Sequence, residues 1–183
     1  MLTTQSHGDC MTGGMTMRLF IAIHPDPDWI RHLTGCQHQL VQAGLQGRLV
    51  PRENLHMTLA FAGNCTQDQK DTILHLLQTL SFPATDARCL GYHRFGNTRV
   101  LAFQADPAMT SFVQELRERL RDAGIPQDDK PWKPHITLAR GCAPLQHPFP
   151  APECPSLMPL SSPVLYESIQ TRQGVTYRPL GRD

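Results

Sequence analysis

The amino-acid sequence predicts an α+β fold with antiparallel strand pairing, built as two related lobes on either side of a central cleft. The order of periodic segments is strand, helix, strand, helix, hairpin, helix, strand, hairpin, and the hairpins require antiparallel neighbours. The pentapeptide His56-Met57-Thr58-Leu59-Ala60 recurs as His135-Ile136-Thr137-Leu138-Ala139, 135 − 56 = 79 residues further on, each copy in a segment of strand character. From the chain's own His, Thr, Leu and Ala frequencies only about 0.006 such strings are expected, so coincidence is a poor explanation. Two copies in helix-containing units point to duplicated lobes about a pseudo-two-fold axis and are too few for a solenoid.

The elements follow in order. Residues 1–16 lack the basic start and apolar run of a signal peptide and show no periodicity; they read as a disordered leader, with Met17 a candidate start of the folded chain. Residues 17–183 then form one bilobal domain. Residues 18–23 form an apolar, β-branched run closed by His24-Pro25, which suits a buried strand. Ile30, Leu33, Leu40 and Val41 recur at helical spacing between Pro27 and Gly44. Residues 55–61 alternate, placing Met57, Leu59 and Phe61 on one face and His56, Thr58 and Ala60 on the other.

Thr66 and Gln69 form a capping-box signature ahead of the apolar stripe Ile73, Leu74, Leu77, Leu80. Gly96-Asn97 suits a two-residue turn of the II′ kind between strands 88–95 and 98–105. Asp106 caps a third helix with Pro107 at its first position, and Met109, Phe112, Val113, Leu116 and Leu120 form its buried stripe. After a strand at 134–139, residues 141–163 hold seven prolines without periodicity and read as a long surface loop able to frame a site. A last hairpin, 164–170 with 175–180, turns around Gln173-Gly174.

Composition narrows the function. A formal charge of +1 over 183 residues gives no global field for nucleic acid, so any anion site is local. Six scattered cysteines without a C-x-x-C pair argue against a zinc site or disulfide framework and fit a reducing cytoplasm. No apolar run approaches the roughly 20 residues that span a bilayer, so no membrane partner is expected. Glycine-rich nucleotide cradles are absent, and His32, His38, His75 and His93 form no metal-binding spacing and read as surface or packing residues.

The duplicated motif carries the chemistry. Alternation puts His56 with Thr58, and His135 with Thr137, on one face of their strands, so a two-fold axis can bring two imidazoles and two hydroxyls to one cleft. A cyclic phosphate needs one group to take a proton from attacking water and another to give one to the departing ribose oxygen. Histidine, with an ordinary pKa near 6.5, can do either. The threonine hydroxyls can donate to the non-bridging oxygens. A single His-x-Thr is more often a satisfied polar pair on a sheet surface; duplication reverses that weighting.

The paired H-x-T-L strings resemble the 2H phosphoesterase superfamily, specifically its bacterial and archaeal RNA 2′,3′-cyclic phosphodiesterases of the 2′-5′ RNA ligase family. Residues 18–23, the lead-ins Glu53-Asn54-Leu55 and Lys133-Pro134, Arg140 and Leu165-Tyr166-Glu167-Ser168 add to the likeness. The resemblance implies a bilobal 2H phosphoesterase fold with antiparallel sheets lining the cleft and helices outside. It implies no metal and no cofactor, and hydrolysis of RNA 2′,3′-cyclic ends or small cyclic nucleotides to 2′-phosphomonoesters, with reversible 2′-5′ ligation as a side activity.

By carry-over His56 gives the proton to the leaving oxygen and His135 accepts one from water, or the reverse. Arg140 would meet the phosphate, although strict alternation puts it on the face opposite His135 unless the strand ends or bulges near Ala139. Phe20, Tyr177 and Trp132 are candidate surfaces for the terminal base, Phe20 being more easily read as core. Arg48, Arg52, Arg94 and Arg99 could line an RNA path but are more often solvated. A monomer is expected. The rivals are a phosphodiesterase for a 2′-5′ oligonucleotide or an ADP-ribose cyclic phosphate, and a non-catalytic module that binds RNA ends or nucleotides.

Overall fold

Two Asp-Pro pairs, 26–27 and 106–107, start the repeating part of the fold. In the computed structural model, which describes residues 16–144 and 148–181, each Asp accepts the N–H three residues on at 2.7 Å (Trp29, Met109) and each Pro takes the first helical position. Helices α1 (Pro27–Gln42) and α3 (Pro107–Asp122) are both 16 residues long, and each buries one apolar stripe. Helix α2 (Gln67–Thr79) starts with the capping box expected at Thr66 and Gln69. The leader, apart from Thr16, lies outside the described residues. No helix among those described is long and apolar enough to cross a membrane.

The strands are β1 (Met17–Ile23), β2 (Arg48–Leu49), β3 (Met57–Cys65), β4 (Asp86–Phe95), β5 (Thr98–Ala105), β6 (His135–Arg140), β7 (Leu157–Pro159), β8 (Val164–Thr171) and β9 (Gly174–Leu180). They form one sheet in the order β7-β4-β5-β6-β3-β1-β8-β9, with β2 also on β6, and every pairing is antiparallel. The hairpin β4/β5 turns at Gly96, whose φ of 57° opens the turn as its sequence requires. The last hairpin runs one pair further than expected, to Thr171↔Gly174, so its turn is Arg172-Gln173. Strands β2 and β7 were not legible: two and three residues form strands here only because β6 and β4 offer free edges.

The two halves meet at one pair, Met57↔Ile136. These are the second residues of the two pentapeptides, so the pseudo-two-fold axis passes between them. On that register His56 stands opposite Thr137 and Thr58 opposite His135.

Both central strands bulge at the same place. Thr58 and Ala60 pair with the successive residues Ala22 and Ile21, leaving Leu59 as the extra residue; Thr137 and Ala139 pair with Val100 and Arg99, leaving Leu138. Each bulged carbonyl is met from a helix of the other repeat: Gln37 Nε2 of α1 donates to Leu138 at 2.9 Å, and Arg117 Nε of α3 to Leu59 at 3.1 Å. The main core lies between the sheet's back face and the helices, around Leu33, Leu40, Leu59, Ile73, Leu116 and Leu138.

Candidate active site

Past each bulge the alternation inverts, and this builds the cleft. Leu59 and Ala60 are both buried and so are Leu138 and Ala139, which returns Phe61 and Arg140 to the face that carries the histidines. Arg140 thus reaches the cleft by the bulge its candidacy required. Phe61 corrects the sequence reading: it does not share the apolar face of Met57 and Leu59 but is 66% exposed toward the cleft. The signal for this was its place in the repeat, equivalent to that of Arg140.

His56, Thr58, His135, Thr137 and Arg140 line one cavity of about 700 Å³, together with Phe20, Tyr177 and Phe95. The two histidines are held alike. His56 Nδ1 lies 2.7 Å from the carbonyl of Asn54, and His135 Nδ1 lies 2.7 Å from that of Lys133. A carbonyl only accepts, so Nδ1 carries the hydrogen in both rings and Nε2 is left to gain or lose a proton. Each ring rests edge-on against an aromatic, His56 on Tyr177 and His135 on Phe95, with centroids 5.0 Å apart in both. Phe95 was not foreseen; it ends β4, next to the hairpin turn.

Burial strips water from both imidazoles and disfavours their charged forms. His56 is pulled down to about 4, the nearby charges of Arg140, His24 and His135 adding to the effect and the Asn54 carbonyl opposing it. His135 is lowered too, first by burial and then by Arg140, against the Lys133 carbonyl. Both imidazoles therefore favour the neutral form, beside the Arg140 guanidinium. Its lining contains no Asp or Glu side chain, and no group of three or more His, Cys, Asp or Glu suited to a metal occurs among the described residues.

The remaining candidates sort by position. Phe20 is 4% exposed and packs among His56, Phe61, Tyr166 and Tyr177, so it forms the floor beneath His56 rather than a free stacking surface. Trp132 is not in the main cleft: its indole N–H donates to the Thr58 carbonyl at 2.9 Å and its ring borders a neighbouring compartment. Arg99 leaves the RNA path altogether, being 1% exposed on the back face with Nη2 bonded to the Ala143 carbonyl at 2.6 Å. No described residue of the proline-rich segment lines the cleft. Its later part packs on β4 and α1, with Leu157, Met158 and Pro159 forming β7 and the Glu153 N–H donating to Gln39, while the Cys142 and Ala143 N–H groups donate to the carbonyls of Asn97 and Gln46.

A family model described as the 2′-5′ RNA ligase superfamily matches residues 24–160, a span that includes both histidines. The chain belongs to this 2H phosphoesterase family. Among curated relatives, an RNA 2′,3′-cyclic phosphodiesterase of Thermus thermophilus is 33% identical over 158 residues, covering 78% of this chain and 74% of the relative. One of Escherichia coli is 27% identical over 139 residues, covering 74% and 78%. The fold of apo E. coli LigT superposes with a TM-score of 0.79 at 24% identity over 93% of this chain and 98% of that one. A solved protein of Thermus thermophilus gives 0.75 at 26%, over 90% and 96%.

Proposed function

We propose that this chain hydrolyses 2′,3′-cyclic phosphates at RNA ends to 2′-phosphomonoesters, without a metal ion. The observation that carries the reading is the pair of equivalent imidazoles, each with Nδ1 tied to a carbonyl two residues back, on one cavity with two threonines and Arg140. The family membership and the names of the relatives point to the same reaction.

In the reaction one Nε2 takes a proton from water as its oxygen attacks phosphorus. The bond to O3′ breaks in line, and O3′ takes the proton held by the other Nε2, leaving phosphate on O2′. Thr58 and Thr137 hydroxyls, which have no protein partner among the described residues, donate to the non-bridging oxygens. Arg140 offsets the charge that grows there. With a 5′-hydroxyl in place of water, the same geometry makes a 2′-5′ linkage. Two imidazoles suffice for this proton transfer, and the described lining offers none of the carboxylates that hard cations prefer.

The resemblance leaves the donor and acceptor roles of His56 and His135 exchangeable; the desolvation of His56 favours the neutral form that a base needs. The free thiols Cys36, Cys65, Cys89, Cys142 and Cys154 suit work in a reducing cytoplasm. The test is incubation with a nucleoside 2′,3′-cyclic phosphate in excess EDTA. Product carrying a 2′-phosphate, lost in His56→Ala and in His135→Ala, is expected; saturable binding without turnover would instead make the chain a nucleotide-binding module.

A further inference from the structure

The cleft does not end at His135. A second cavity of about 560 Å³, within the range of nucleotide-sized ligand sites, opens beside it and shares Thr58, Phe61, Phe95 and His135 as a common wall. The proposed reaction uses only the near side of that wall.

The two phenylalanines stand at the junction, 66% and 39% exposed. Large apolar rings left in water beside a phosphate-type site are surfaces for flat ligands, and every nucleobase has a face to stack on them. Beyond them the compartment is cationic: Lys130, Lys133 and Arg117 line it against one carboxylate, that of Asp128. Arg117 is tied by Nε and Nη1 to the carbonyls of Leu59 and Lys130, which fixes this wall to β3. The Lys130 side chain is 86% exposed, with Nζ 4.0 Å from Asp128, so it is only loosely paired.

We propose that this compartment is the subsite for the nucleotide preceding the cyclic-phosphate nucleotide of an RNA strand. Its base lies against Phe61 and Phe95 and its linking phosphate meets Lys130 and Lys133. The inference rests on the phosphodiesterase reading above and narrows it: the preferred substrate is an oligoribonucleotide end rather than a free cyclic mononucleotide. The charge pattern explains how a chain of formal charge +1 engages RNA, with local cations beside the reacting phosphate instead of a global field.

The test compares kcat/KM for a nucleoside 2′,3′-cyclic phosphate with that for the dinucleotide bearing the same terminal nucleoside and cyclic phosphate. The dinucleotide is expected to win by roughly tenfold or more, mostly through KM, because the added contacts are made before the chemical step. Lys130→Ala should leave the mononucleotide unchanged and lower the dinucleotide about threefold, and Lys130→Glu about tenfold, with a shallower salt dependence for the alanine variant. Equal turnover of both compounds by the wild type, or an undiminished dinucleotide preference in Lys130→Glu, overturns the subsite while leaving the reaction standing. Turnover of neither compound overturns the reaction and the subsite together.

Discussion

Gln37 and Arg117 perform one task 80 residues apart, each reaching from its helix to the carbonyl of the leucine that bulges in the other repeat's motif strand. The bulges are what turn Phe61 and Arg140 into the cleft, so these two side chains support the site from behind. Gln37→Ala leaves the Leu138 carbonyl with the Val50 N–H alone and strips the Val50 carbonyl of its side-chain donor. Arg117→Ala leaves the Leu59 carbonyl without its side-chain donor. Each substitution is expected to cost about 1–3 kcal/mol in urea unfolding, the range for an abandoned buried polar group. Midpoints unchanged from wild type would show that water replaces the lost donors.

His56→Ala and His135→Ala should each lower kcat by roughly 10²–10⁴, the range for a positioned proton donor or acceptor. The double variant is expected to be little worse than either single one, because acid and base act on one transition state. Single-turnover assays on a cyclic mononucleotide check this. Losses that multiply in the double variant would mean that the two rings act independently.

The pH profile follows from both histidines titrating below their ordinary value, His56 at about 4. One ring must be neutral to accept a proton and the other charged to donate one, so kcat/KM should be bell-shaped with its optimum on the acid side of pH 6.5. Bound phosphate favours imidazolium, so the kcat profile should lie at higher pH. Stability shifts in the same window. The folded state holds these groups neutral, so its contribution is complete above pH 6.5 and is lost as pH falls toward 4. Urea titrations of wild type and His56→Asn between pH 7 and 4.5 measure this, and the variant should lose less stability on acidification.

The placement of the motif residues on one cleft was legible because two short strings fixed both residue types and the face they share, and the Met57↔Ile136 pair is where a duplicated strand must meet itself. The helices were legible because their caps and apolar stripes are local. What hid from the sequence depends on partners distant along the chain. A strand's own alternation cannot announce that its neighbour will pair past Leu59 or Leu138, so the side of Phe61 was misread and that of Arg140 left open. Phe95 meets His135 only through folding of a hairpin 40 residues away. For Arg99 alternation gave no guide, because Val100, Leu101, Ala102 and Phe103 are apolar and buried on both faces of the strand, and its charge argued for the surface.

Thr58 and Thr137 are placed by the same register that places the histidines, each opposite the imidazole of the other motif. Replacing either by Val keeps the branched shape a strand favours and removes the hydroxyl alone. A donor aimed at charge that develops on a non-bridging oxygen is worth roughly 10²–10³ in kcat. The expected signature is a fall in kcat with KM moved far less, and similar losses at the two sites. A change confined to KM would assign the hydroxyls to ground-state binding.

Arg140 connects the electrostatics to the proposed mechanism, because its charge depresses both histidines and its side chain lines the same cleft. Arg140→Met preserves the length of the stem and removes the charge. Without the guanidinium each imidazole holds its proton more easily, so the kcat/KM bell should move to higher pH while KM for the cyclic phosphate rises. Arg140→Lys, which keeps a charge but not the planar fork, should hold the wild-type pH optimum and recover only part of the affinity. The pH shift is the discriminating readout: loss of phosphate contact alone raises KM at every pH. A bell in Arg140→Met that stays at the wild-type position would mean that the guanidinium acts on the substrate and not on the two rings that transfer its protons.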